Sequence, residues 1–213
     1  MDNPWLTTPL FAAAAVLLTI GGYSLRFYEV PAARSFTAVT FLGAAWAFTY
    51  ALGILDGSLN DKILLLKERV SLQPFIPAAF FVTAIEHAHF SRWLNHPRKL
   101  LLLLVPLITL GLAWNDSLFP LLRNNIRIIP NSPVLQSDPG MWAYMVTGYS
   151  YILGIGTLGV FLYSLRHSRG IYFLQTLYLT LALLIPVAAS LITSAGIVQI
   201  GPPAITSPPA PSC

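Results

Sequence analysis

Apolar runs of about 18 residues or more recur along the chain, and at ~1.5 Å per residue each can cross the ~30 Å hydrocarbon core of a bilayer. Across 213 residues, 55% are hydrophobic and 9% charged, against roughly 25% charged in an average soluble domain. That balance excludes a soluble globular enzyme and a disordered tail. About six spans of ~20 residues leave room for short loops only.

The expected architecture is an all-α integral membrane protein, a bundle of six transmembrane helices. The runs predict helices over residues 8–25, 36–55, 74–90, 100–114, 140–165 and 171–198, with Pro31 in the first connection. Residues 63–66 are either the first turns of the third helix or a short interfacial helix, because Lys67, Glu68 and Arg69 oppose deep burial in lipid. Four prolines with several Asn and Ser between residues 115 and 139 predict an irregular cap. Residues 1–200 thus read as one domain, followed by a Pro-rich tail, 201–213, that cannot span.

The net charge of +4 and pI near 9.4 do not point to nucleic acid, since the basic residues lie between apolar runs, as in cytoplasmic loops. Arg26, Arg34, Arg92, Arg98, Lys99, Arg166 and Arg169 follow the odd-numbered helices; Lys62, Lys67, Arg69, Arg123 and Arg127 lie on the opposite side. Seven against five places the N-terminus outside, and with six helices the C-terminus too. The N-terminus lacks the basic region of a cleaved signal peptide, so the first run reads as a retained helix. Cys213 is the single cysteine, so no disulfide framework or thiolate metal cluster is expected.

Glu86, His87 and His89 form the most conspicuous polar group in an apolar run. Glu86 and His89, three apart, are expected on one helix face. They read either as a proton-responsive or ligand site, or as a carboxylate paired with a basic neighbour near the headgroups; the second reading is preferred. No cofactor is expected; the alternative is a single tetrapyrrole on His87 or His89. His96 is expected in a loop. The run Gly154-Ile155-Gly156-Thr157-Leu158-Gly159 has the spacing of a dinucleotide fingerprint but lies inside a membrane helix, where Gly156 and Gly159 instead suit close helix packing. Pro186 should kink the sixth helix, with Ser190, Thr193 and Ser194 answering freed carbonyls. Trp46 and Tyr50, four apart, share a face that either lines a pocket or packs. No catalytic set or metal site is visible, so no enzyme activity is expected.

Several landmarks occur in a recognisable order: Trp46 with Tyr50; Pro77 in Pro77-Ala78-Ala79-Phe80-Phe81; Glu86; then Arg92, Trp93, Arg98 and Lys99. Pro106, Asn115-Asp116, Trp142 with Tyr149 and Tyr151, Gln175 and Pro186 continue it. Over residues 10 to 200 the chain resembles the N-terminal seven-helix membrane region of bacterial histidine kinases. The resemblance implies a sensor-type input domain in a bacterial inner membrane, normally followed by a seventh helix and a kinase. Here the sequence turns Pro-rich where that helix is expected, and no phosphoacceptor helix or ATP-binding region follows.

Two functions are therefore expected. One is a detached, non-enzymatic input module that binds an apolar ligand or membrane partner and modulates a separate protein. The other is an accessory subunit of a larger respiratory or photosynthetic membrane complex. The expected ligand or partner surface comprises Trp46, Tyr50, Glu86, His89, Gly156, Gly159, Ser190, Thr193 and Ser194. Expected partners are lipids and another integral membrane protein, not nucleic acid.

Overall fold

The computed structural model describes residues 4–55, 58–90, 94–128, 135–167, 170, 173–182 and 184. It divides into two compact units, residues 1–160 and 161–213. The helices are α1 (Pro4–Ser24), α2 (Pro31–Ile54), α3 (Leu59–Leu72), α4 (Phe75–His87), α5 (His96–Trp114), α6 (Met141–His167) and α7 (Phe173–Ala182). Among the described residues four segments are long and apolar enough to cross a membrane: Thr7–Phe27, Ala32–Ile54, Pro97–Trp114 and Met141–His167. Their outward faces are apolar, with Leu101 69% exposed and Ile152 and Ile155 each 72% exposed. Faces of that kind suit lipid and not water.

Prolines shift two predicted starts. Pro31 opens α2 and Pro97 lies in the first turn of α5, where the missing N–H breaks no helical hydrogen bond. His96 is thereby the first residue of α5 and not a loop residue.

The third predicted helix is two helices. Ser58 and Asp61 form a reciprocal capping box that starts α3 at Leu59. Pro74 then breaks the ladder, because it offers no N–H and its ring crowds the carbonyl four residues back. Gln73 and Pro74 nevertheless keep right-handed helical backbone angles. The 13 residues of α4 reach only ~20 Å, so α4 alone is too short for the hydrocarbon core.

Residues 115–128 and 135–139 of the expected irregular cap carry regular structure instead. A 3-10 turn, Phe119–Leu121, leads into an antiparallel hairpin of β1 (Arg123–Ile128) and β2 (Leu135–Pro139). Among the described residues the hairpin is the exception to an all-α fold. Its register shifts between Asn124 and Arg127, a bulge where Asn125 takes φ +49° and donates from its amide to Asp138 at 3.0 Å. Beneath it Leu66 and Val70 of α3 meet Ala113, Phe119 and Leu122, with Ile126 and Trp142 against them.

Two hydrogen bonds tie α5 to α6. Pro106 inside α5 deprives the Leu102 carbonyl of its helical donor, and the Tyr149 hydroxyl donates to that oxygen at 2.6 Å. Two turns further, the Trp142 indole donates to Thr109 Oγ1 at 2.9 Å. Pro106, Trp142 and Tyr149 are thus one structural device.

Within the unit beginning at residue 161, Thr180 donates to the Thr176 carbonyl and His167 stacks on Tyr163. Pro186, Ser190, Thr193, Ser194 and the tail to Cys213 lie outside the described residues.

Candidate ligand cavity and its flanking polar groups

Three helical stripes line an open groove with room for about 290 Å³. On α4, Phe75, Ala78, Ala79 and Val82 recur at helical spacing and so share a face. Ala38 and Leu42 of α2 face them, and Leu102 and Leu103 of α5 complete the wall. Alanine on the facing surfaces leaves space that larger side chains would occupy. Polar groups lie at one end, where Ser35 and Lys99, each one turn before the apolar lining of its helix, join the wall.

Those two residues hold Glu86. Ser35 Oγ donates to Glu86 Oε2 at 2.8 Å, and Lys99 Nζ lies 3.3 Å from Oε1. The Glu86 side chain is only 12% exposed, whereas that of Lys99 is 45% exposed. A buried carboxylate depends on the partner that shares its burial, and a half-exposed ammonium is largely screened. Ser35→Ala should therefore cost about 2 kcal/mol of stability and Lys99→Met no more than ~1 kcal/mol. Thermal unfolding in detergent compares the two; a larger loss in Lys99→Met would contradict this division.

His89 does not share a helix face with Glu86. Helix α4 ends at His87, and His89 takes φ +59°. Its N–H donates to the Glu86 carbonyl and that of Phe90 to the Ile85 carbonyl, the paired bonds of a Schellman end. A histidine at that left-handed position carries a strain of about 1 kcal/mol that glycine would not. His89 is thus part of a helix terminus, and the expectation that it shares a helix face with Glu86 is corrected.

At the other end of α2, Trp46 stacks on Tyr50 with ring centroids 5.5 Å apart, and the Arg69 guanidinium lies 4.7 Å over the Tyr50 ring. Gly156 faces α4: a Cβ there would come within 3.0 Å of the Phe81 ring. At Gly159 a Cβ would meet nothing within 4 Å, so the described chain makes no close helix contact there. The glycine run lies wholly inside α6, with no strand leading into it.

Ser35, Ala38, Ala79 and Lys99 are site residues that composition and charge did not single out. The available signal was the i, i+3, i+4, i+7 recurrence of the apolar residues Phe75, Ala78, Ala79 and Val82 in α4, with alanine at the two middle positions. Lys99 was read as a loop charge because α5 was expected to begin after it.

A family model for the N-terminal 7TM region of histidine kinase matches residues 9–209. No curated protein and no solved structure matches the chain.

Proposed function

Because the chain belongs to the family of N-terminal 7TM regions of histidine kinase, a membrane input module, we propose that it binds an apolar ligand in the cavity between α2, α4 and α5 and modulates a separate protein. The cavity carries this reading: about 290 Å³ lies at the lower edge of the range for small-ligand pockets, ~300–1,000 Å³, and such pockets are mostly apolar with few polar groups. Ser35 and Lys99 supply the polar end. Ligand entry would spread α4 from α5, and Glu86, bonded to α2 and to α5, would register that movement.

In this proposal the chain crosses a bacterial inner membrane six times, as its six apolar runs predict. The asymmetry of Lys and Arg supports an orientation with the Glu86 end in the cytoplasm and the hairpin outside. No step of the role involves catalysis.

Purification in mild detergent, with identification of everything that co-elutes, tests the reading. A small apolar molecule retained in stoichiometric amount is the expected result. A stoichiometric protein complex without any retained small molecule would favour an accessory subunit instead.

A further inference from the structure

The groove between α2, α4 and α5 has a direction. Ser35 and Lys99 stand at one end, and Leu42 of α2 and Phe75 of α4 at the other. From Phe75 to Val82 on α4, and from Ser35 to Leu42 on α2, the rise is about 10 Å. Alanines wall the middle, whereas the far end carries the bulkier Leu42 and Phe75. The hydrocarbon of one bilayer leaflet is ~15 Å thick, half of the whole core. A full-length membrane acyl chain would therefore overrun the groove, and a shorter alkyl chain fits it.

The surface of the groove is almost wholly apolar, so Lys99 lines it with its aliphatic stem and carries its half-exposed ammonium to the mouth. Lys99 is the one charged residue among the described residues that line it. Glu86 is not part of the wall; its side chain is 12% exposed, and Ser35 and Lys99 engage one oxygen each. The Lys99–Glu86 contact of 3.3 Å is long against the ~2.7–2.9 Å of a charge-assisted hydrogen bond. An ammonium also has three donors, of which Glu86 takes one. The mouth thus offers positive charge with donors to spare, while the interior offers only hydrocarbon contact.

We infer that the occupant is a medium-chain fatty acid, its alkyl chain along the alanines and its carboxylate at the Lys99 ammonium. This rests on the reading of the groove as a ligand site and adds the chemical class of the ligand. The acid head accepts from Lys99 and draws the ammonium off Glu86 Oε1, which loosens the tie between α4 and α5. The 2.8 Å bond from Ser35 meanwhile keeps Glu86 on α2.

Equilibrium binding of tritiated decanoate, decanol and hexadecanoate to the full chain supplies the test. The chain is held in phosphatidylcholine nanodiscs at about pH 8, where a carboxyl is ionised, with protein-free nanodiscs as the blank. Saturable binding of one decanoate per chain is expected, at least tenfold tighter than that of decanol or hexadecanoate. Lys99→Met keeps the stem and removes the charge; it should weaken decanoate at least tenfold and change decanol less than twofold. Lys99→Arg should retain decanoate. Should Lys99→Met fail to fold, the three probes on the wild type carry the comparison. Equal affinity for decanoate and decanol, or decanoate binding unchanged in Lys99→Met, would overturn the acid head. Hexadecanoate binding as tightly as decanoate would overturn the short chain. Both of those results leave a ligand in the groove. Absence of saturable binding by all three probes overturns the fatty acid; if another small apolar molecule still co-purifies, the underlying reading of the groove survives, and if none does, that reading fails too.

Discussion

Gly140→Ala should destabilise the protein by about 3 kcal/mol, the upper part of the range for forcing extra atoms into packed structure. A Cβ at this position would lie 2.2 Å from the Leu121 carbonyl oxygen and 2.5 Å from that of Pro120. Both obstacles are backbone, so no rotamer change relieves them. Gly140 also donates its N–H to the Leu122 carbonyl at 3.0 Å, which returns the hairpin to the start of α6. Moving the chain to admit a methyl would open the buried cluster of Phe119, Leu122 and Val70. Gly159→Ala is the control: its Cβ meets nothing within 4 Å, and alanine should gain up to ~1 kcal/mol in helix propensity. Thermal unfolding of both variants in one detergent makes the comparison. Equal stability would mean that the cap does not close on α6 as described.

Tyr149→Phe should cost about 2 kcal/mol in the wild-type background, because it strands the Leu102 carbonyl that Pro106 has already deprived of a donor. In a Pro106→Ala background the same change should cost less than ~0.5 kcal/mol, since the restored amide of residue 106 can bond that oxygen. The coupling between the two substitutions is the informative quantity. An equal loss in both backgrounds would show that the hydroxyl contributes by something other than answering the freed carbonyl.

Periodicity and charge made the membrane helices legible, because a bilayer demands long apolar runs and penalises charges within them. Errors gathered where local chemistry competes with that pattern. The capping box of Ser58 and Asp61 and the break at Pro74 were both present in the sequence. The sequence left residues 63–66 open between first turns of the third helix and a short separate helix, and α3 is the separate helix. The hairpin was hidden by its prolines and asparagines, which read as irregular loop, while Ile126 faces the buried cluster beneath it. For Glu86, the preferred pairing with a basic neighbour named no partner. Contact with Ser35 lies 51 positions away in sequence, a distance that no local spacing encodes. Glycine is a second lesson. The conspicuous run in α6 has one member against Phe81 and others in open space, whereas Gly21, a Cβ at which would sit 2.6 Å from Thr40 Oγ1, stood in no motif.

The apolar groove was beyond a linear pattern for a similar reason: Ala38 of α2 and Ala78 and Ala79 of α4 meet beside α5, and that juxtaposition is tertiary.

Native mass spectrometry of the intact chain released from mild detergent, wild type against Ala79→Phe, tests the central claim most directly. Ala79 lines the cavity, and a phenyl ring there would fill much of it while keeping the helix and its apolar surface. The account predicts one apolar molecule bound per chain in the wild type and at least a tenfold lower occupancy in Ala79→Phe, at unchanged Tm. Equal occupancy in the two proteins, or none in either, would contradict it.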